Sequence, residues 1–131
     1  MAYAATVDIK REGTRGLVVT VTETEGAAAS EKEIVDSVTG FRPGPVRIVK
    51  CIATHSAGSA ATRQPRLGIA AAATTGQVRY QATATAVATA INEQLTQPVT
   101  AEGKLYHRSQ VNAGTDNSMI TVYHLLTGWT D

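Results

Sequence analysis

The clearest pattern in the chain is an alternation of apolar and polar residues near its end, which predicts two β-strands. Residues 104–111 and 119–126 both have a period of two and are rich in β-branched and aromatic side chains. The segment between them is rich in Asn, Asp and Gly, which favour a reversal of the chain. We therefore expect these two strands to form a β-hairpin.

The second of these strands is apolar on both sides. Ile120, Val122 and Leu126 project to one side. Met119, Tyr123 and Leu125 project to the other. A strand that is covered on only one face alternates more cleanly than this. We expect the first set to face the core of the domain and the second set to form a contact between subunits.

Alternation also predicts strands in the N-terminal half. Residues 7–9 and 17–24 flank Gly13 and Gly16, which predicts a hairpin. Residues 31–38 fit either a short strand or a single frayed turn. The apolar run 46–53, which follows a turn punctuated by two prolines, predicts a central strand.

The middle of the chain is less regular. Residues 54–65, rich in Ser, Ala and Gly, predict a long loop, and residues 66–73 and 77–83 predict two further strands. In residues 84–95 the alternation of Ala and Thr favours a strand, whereas the spacing of the larger apolar residues favours a helix. We expect a short helix over residues 85–94 that ends before Pro98.

Seven or eight short strands separated by turn signals predict an all-β fold. We expect one domain over residues 1–131, an antiparallel β-sandwich of Greek-key or jelly-roll type with at most one short helix. A chain of this length is sufficient for one hydrophobic core. Residues 1–8 lack the pattern of a secretory signal, and no run of about eighteen apolar residues predicts a membrane span.

Charge is sparse and unevenly distributed. Charged residues make up 18% of the chain, which is low for a free-standing domain and suggests that neighbours cover part of its surface. Residues 1–36 have a net charge of −3, residues 37–108 of +6, and the remainder of −2. Either a set of basic residues forms a face that meets an acidic partner, or these residues are spread around the domain and solvated. The set is Arg42, Arg47, Lys50, Arg63, Arg66 and Arg79.

No catalytic or cofactor motif emerges, so we expect the protein not to be an enzyme and to need no metal or cofactor. His55, His107 and His124 are too scattered for a local zinc motif, although the last two could face each other across the terminal hairpin. Glu23 and Glu25 share a strand face, which we interpret as a solvated strand end. The single cysteine excludes an internal disulfide, and basic residues are too seldom interleaved with aromatics to predict specific nucleic-acid binding.

The sequence resembles small virion proteins of tailed bacteriophages, in particular capsid decoration (cement) proteins. The resemblance rests on the opening residues 1–7, on the stretch 19–30, on residues 103–109 followed by 111–118, and on the closing Gly128 and Trp129. It implies a β-sandwich that binds the outer surface of the major capsid protein lattice, often as a trimer, and stabilises the head against internal pressure. Assembly would take place in the host cytoplasm, without a membrane.

The function expected from this resemblance is decoration of a phage capsid. A neck, tail-tube or tail-completion subunit is the nearest alternative, and a module that binds a glycan or host surface through residues 54–65 is the second. Trp129 would either fold back over the core or enter a neighbour's pocket. The residues predicted at a subunit or capsid interface are Met119, Tyr123, Leu125, Trp129, Arg42, Arg63 and Arg66.

Overall fold

The computed structural model describes residues 4–24, 29–57, 62–68, 78–81, 85–86, 89–101, 105–111 and 118–127. Every regular element in these ranges is a β-strand. The strands are β1 (Ala4–Glu12), β2 (Gly16–Thr24), β3 (Ala29–Glu33), β4 (Val46–Ala57), β5 (Thr62–Gly68), β6 (Val78–Gln81), β7 (Thr85–Ala86), β8 (Thr89–Ala101), β9 (Tyr106–Val111) and β10 (Ser118–Thr127).

The strands form two antiparallel sheets. The first, called here the β10 sheet, has the order β1-β2-β10-β4-β8. The second, called the β9 sheet, has the order β3-β9-β5-β6, and β7 pairs with β5 beside β6. From β2 to β5 and again from β8 to β10, each strand lies in the sheet opposite to its predecessor. This alternation is the jelly-roll arrangement, so the predicted all-β antiparallel sandwich is confirmed.

The predicted terminal hairpin is wrong, because its two strands lie in different sheets. β9 pairs with β3 and β5, whereas β10 pairs with β2 and β4. The two strands face each other across the interior instead of exchanging backbone hydrogen bonds. A long polar connection permits this crossing, whereas the two-residue loops of tight hairpins do not.

The N-terminal hairpin is confirmed. β1 and β2 pair along their whole lengths, from Ala4 opposite Thr24 to Glu12 opposite Gly16. Gly13 has a φ of 71°, which side chains other than hydrogen rarely tolerate. A Cβ on Gly16 would lie 2.3 Å from the carbonyl oxygen of Glu12, so the turn requires glycine there as well.

Two predictions for the middle of the chain are wrong. The expected helix over residues 85–94 is strand, since β7 and β8 occupy this segment and β8 pairs with β4. Pairing with a central strand favours the alternation of small and β-branched residues over the helical spacing of the few larger ones. The expected loop over residues 54–65 is also mainly strand, because β4 extends to Ala57 and β5 begins at Thr62.

The free edge at β8 is interrupted by an irregularity. Ile48 of β4 pairs with Val99 and Lys50 pairs with Gln94, so residues 95–98 of β8 lie opposite Val49 alone. Pro98 falls within this insertion, where its missing N–H costs no regular ladder bond. An edge shaped in this way is a poor template for adding another strand.

The core lies between the sheets and contains side chains from both. Its buried apolar residues are Val7, Leu17, Val19, Val21, Ile34, Val46, Ile48, Cys51, Leu67, Tyr80, Leu105, Tyr123 and Leu125. β4 supplies several of them, as expected for a central strand. None of the described residues forms a helix long and apolar enough to cross a membrane.

Candidate interaction surface and buried polar clusters

Three polar side chains join the two sheets at the centre of the sandwich. Glu23 of β2, His107 of β9 and Tyr123 of β10 each have 0% of their surface exposed. His107 Nε2 lies 2.7 Å from Glu23 Oε1, and His107 Nδ1 lies 2.7 Å from the Tyr123 hydroxyl. Both ring nitrogens are therefore satisfied, and the imidazole is fixed in place from two strands of the opposite sheet.

This cluster is held further by Tyr123. Its ring meets the His107 ring edge-on, with 5.7 Å between centroids, and its hydroxyl lies 3.5 Å from the carbonyl oxygen of Arg66 on β5. A carboxylate beside an imidazole is a common acid–base pair in enzymes. Here neither group reaches the surface, so the pair connects the sheets and has no access to a substrate.

The interpretation of Glu23 as a solvated strand end is wrong. Glu23 follows Leu17, Val19 and Val21 at intervals of two, and all four project inward. The alternation along β2 therefore indicates that Glu23 is buried. His107, two residues after the buried Leu105, is placed inward by the same alternation. What the pattern lacked was a partner for the carboxylate, because that partner lies on a strand 84 residues away.

A second polar bridge joins the sheets near the β8 edge. The Tyr80 hydroxyl of β6 donates a hydrogen bond to Glu93 Oε1 of β8. Cys51 of β4 lies beside Tyr80, and burial raises the pKa of its thiol to about 12. Burial and the bond to Glu93 also raise the pKa of Tyr80. Both groups are therefore neutral in the native protein at ordinary pH.

The turn after β3 covers part of the free edge of β1. The N–H of Ile9 donates to Asp36 Oδ2 at 2.8 Å, and the N–H of Val7 donates to Ser37 Oγ at 2.8 Å. Asp36 Oδ1 also accepts the N–H groups of the next turn residues, Val38 at 2.9 Å and Thr39 at 2.8 Å. The three bonds that Asp36 accepts, from the N–H groups of Thr39, Ile9 and Val38, lower its pKa from 3.8 to about 2.

This hydrogen-bonded turn presents two apolar side chains to solvent. Val38 is 92% exposed and Phe41 is 37% exposed, with the guanidinium of Arg11 5.9 Å from the Phe41 ring. The ring also lines an open depression of about 420 Å³ with Ile9 and Leu17. The apolar surface on this turn is small, because it consists mainly of the Val38 and Phe41 side chains.

The structure reverses the predicted faces of β10. Met119 and Tyr123 are fully buried and Leu125 is 2% exposed, so these three residues lie in the core of the chain itself. Ile120 is 42% exposed, and Val122 and Leu126 are half-buried on the outer side. The prediction that Met119, Tyr123 and Leu125 form a subunit contact while Ile120, Val122 and Leu126 face the core is therefore wrong.

The outer side of the β10 sheet carries a continuous apolar row. Val122 of β10 is paired with Ile52 of β4 and with Thr20 of β2, and His124 is paired with Val18. These residues are half-buried within the single chain, and Ile120 next to them is exposed. The apolar residues of this surface, called here the outer row, are Val18, Ile52, Ile120, Val122 and Leu126.

The basic residues whose side chains the structure describes are divided between the two sheets. Arg47 and Lys50 lie on the outer side of the β10 sheet, because they pair with Leu126 and His124. Arg66 belongs to β5 in the opposite sheet. Arg42 lies on the turn before β4, where its Nε is 2.9 Å from Glu33 Oε2. Arg47 and Lys50 are thus in the sheet opposite to that of Arg66, which favours the alternative that the basic residues are spread around the domain.

The remaining predicted site residues can be placed only in part. Arg63 lies in β5, and its side chain is outside the described residues, as is that of Arg79 in β6. Trp129 and Glu25 lie outside the described residues altogether. The side chains of His107 and His124 point to opposite sides of the molecule, the core and the outer surface. Among the described residues, no group of three or more His, Cys, Asp and Glu side chains could hold a metal ion.

Comparisons with known proteins give one structural neighbour. No protein-family model matches the chain, and no curated protein matches it. Among solved structures, "Structure of infectious bursal disease virus Gx strain" aligns with a TM-score of 0.36 and 11% sequence identity. The alignment covers 99% of this chain and 33% of that chain, so the present chain spans about a third of the viral protein's length. The likeness is a weak one to a viral structure.

Proposed function

We propose that the protein is a structural subunit of a virion that decorates and stabilises a phage capsid by binding the outer surface of the major capsid protein lattice. The observation that carries this proposal is the outer row of the β10 sheet. Five apolar side chains from three adjacent strands lie on the outward side of this sheet, four of them half-buried and one, Ile120, 42% exposed. Contiguous apolar surface on a small domain marks a site of association.

The interior supports a structural role over a catalytic one. Three side chains suited to acid–base chemistry bond to one another between the two sheets and have no exposed surface. They are Glu23, His107 and Tyr123. Two polar bridges between sheets also specify how the sheets pack, which suits a subunit that must keep its shape under load. The resemblance of the sequence to decoration proteins is consistent with this role.

The alternative of a glycan-binding module has lost its main support. That alternative depended on a long loop over residues 54–65, and most of this segment belongs to β4 and β5. A neck or tail subunit remains the closest competitor, because it would use the same kind of surface to close a ring. Oligomeric state therefore separates the two functions, with a trimer expected for a decoration protein.

The test is co-sedimentation of the purified protein with empty heads assembled from the major capsid protein of the same genome. Multi-angle light scattering would give the mass of the free protein. We expect saturable binding to expanded heads and a free species with the mass of a trimer. Failure to bind heads, or formation of a closed ring of more subunits, would overturn the proposal.

A further inference from the structure

We infer that the outer row of the β10 sheet binds an acidic protein surface, with apolar contacts at its centre and a carboxylate of the partner opposite Lys50. This inference rests on the proposed function and names the chemistry of the surface that the protein would bind. It depends on a different observation, the sign of the charges around the outer row.

Charge on this surface is one-sided. The outward residues of β2, β10 and β4 include Lys50, Arg47 and one histidine, His124, and no carboxylate. In the next strand, β1, the outward carboxylates are Asp8, which lies 4.0 Å from the ammonium group of Lys10, and Glu12, which lines a depression together with His124 and Leu126. On the other flank β8 presents the neutral Asn92 and Gln94. The central surface is thus positive although the whole chain has a formal charge of only +1.

Lys50 lies at the middle of this surface. It is paired with His124 on one side and Gln94 on the other, and both neighbours leave its charge uncompensated. The ammonium group forms no ion pair with any carboxylate in the described part of the chain. The half-buried Ile52 follows Lys50 on the same side of β4, so the ammonium group becomes partly desolvated when a partner docks there, and the partner must supply a negative charge.

The balance of apolar and charged residues distinguishes the kind of acidic partner. Binding to nucleic acid requires several phosphate contacts and favours exposed aromatic platforms for the bases. The described outward residues of the three central strands include Lys50, Arg47 and His124 but no Phe, Tyr or Trp ring. A second copy of the chain bound through the same face would bring two positive surfaces together, which costs free energy. A protein surface with both apolar and carboxylate groups fits best.

The size of the face agrees with a specific protein contact. Five strands at about 4.8 Å spacing and about nine residues of 3.4 Å each give a face of roughly 700 Å². Stable protein interfaces bury about 800 Å² on each partner. The face of the β10 sheet is therefore large enough to serve as the main contact with one neighbouring subunit or two adjoining ones.

The experiment compares substitutions on the outer row with matched substitutions elsewhere, again with empty heads as the probe. Ile120→Asp and Lys50→Glu change the proposed surface. Val38→Asp and Arg42→Glu make the same chemical changes at exposed positions on the turn 34–45. Circular dichroism and thermal melts of each variant report whether it is folded.

The inference predicts that Ile120→Asp and Lys50→Glu each bind heads more than about tenfold more weakly than the parent. Val38→Asp and Arg42→Glu should bind as the parent does. Binding of the parent should also weaken as salt is raised from about 0.05 to about 0.5 M, since the Debye length shortens. If the parent binds heads and the outer-row variants bind equally well, the inference fails and the proposed function stands.

Three other outcomes would also overturn the inference. If Arg42→Glu abolishes binding while Lys50→Glu does not, the contact lies on the turn. If Ile120→Asp converts an oligomer to a monomer without changing the affinity of each subunit for heads, the occupant is a second copy. If Lys50→Glu abolishes binding to a DNA duplex or to anionic lipid vesicles and leaves head binding intact, the partner is not an acidic protein. Absence of head binding by the parent contradicts the proposed function itself.

Discussion

The two sides of β10 have nearly the same hydrophobicity and opposite roles. Met119, Tyr123 and Leu125 are enclosed between the sheets, whereas Ile120 and Val122 reach the outer surface. The difference is the polar chemistry that accompanies the inner side, because the Tyr123 hydroxyl has His107 opposite it. The hydrogen bond of Tyr123 thus accompanies the side of β10 that faces the core, and the other side faces outward.

The largest expected effect is from Tyr123→Asp. It removes a fully buried aromatic ring, which costs about 3–5 kcal/mol for the loss of packing, and it places a carboxylate in the interior between the sheets. Since domains of this kind have about 5–15 kcal/mol of total stability, we expect the variant to be unfolded. Far-UV circular dichroism and urea titration provide the measurement.

The control for this variant is Ile120→Asp on the other side of the same strand. We expect its free energy of unfolding to stay within about 1 kcal/mol of the parent value. A folded Tyr123→Asp protein, or an unfolded Ile120→Asp protein, would contradict the assignment of Tyr123 to the core and Ile120 to the outer surface.

The next effect is from Glu23→Leu, which leaves His107 without its carboxylate partner. Removing one member of a buried hydrogen-bonded pair leaves the other group unsatisfied and costs about 1–3 kcal/mol, so the urea midpoint should fall. The double variant Glu23→Leu/His107→Leu restores an apolar interior and should recover part of the loss. If the loss of stability in the double variant equals the sum of the losses in Glu23→Leu and His107→Leu, the two side chains do not interact across the sheets.

Acid gives a further prediction at the edge of the β10 sheet. The folded-state pKa of Asp36 is about 2, below its ordinary value of 3.8, so the ionised carboxylate stabilises the folded state. This contribution is complete above about pH 5 and is lost as the pH falls through about 4 towards 2. Asp36→Asn should be less stable than the parent at pH 7, and the gap should narrow near pH 2. A gap that is independent of pH would contradict the role assigned to the carboxylate.

The smallest expected effect is an increase in stability. Thr121 lies on the inner side of β10, is fully buried, and its hydroxyl has no hydrogen-bond partner among the described residues. Thr121→Val keeps the shape and removes the unpaired hydroxyl, which should raise the free energy of unfolding by about 1 kcal/mol. Chemical denaturation measures this change, and a loss of stability would mean that the hydroxyl is bonded.

The fold class could be predicted from the sequence because strand periodicity is a local signal. Residues 17–24 and 46–53 show it clearly, and both segments form strands of the β10 sheet. The pairing of strands is not local. The segments that form β9 and β10 look like a hairpin, but each finds its neighbours among strands far away in the chain.

The candidate surface was harder to predict for the same reason. Which side of β10 faces outward depends on Glu23 and His107, and neither residue is near Tyr123 in sequence. Lys50 and Arg47 were recognised as basic, yet their separation from Arg66 follows only from the assignment of β4 and β5 to opposite sheets. Charge patterns along a chain indicate a face only after the topology is known.

The most direct test of the account is maleimide labelling of two neighbouring cysteine substitutions, Ile120→Cys and Thr121→Cys, in the free protein and in the presence of empty heads. Cys51, the native thiol, is buried and serves as an internal unreactive control. The account predicts fast labelling at position 120 in the free protein, protection of that position by heads, and no labelling at position 121 in either state. Labelling at position 121 in the folded protein, or equal labelling at position 120 with and without bound heads, would contradict it.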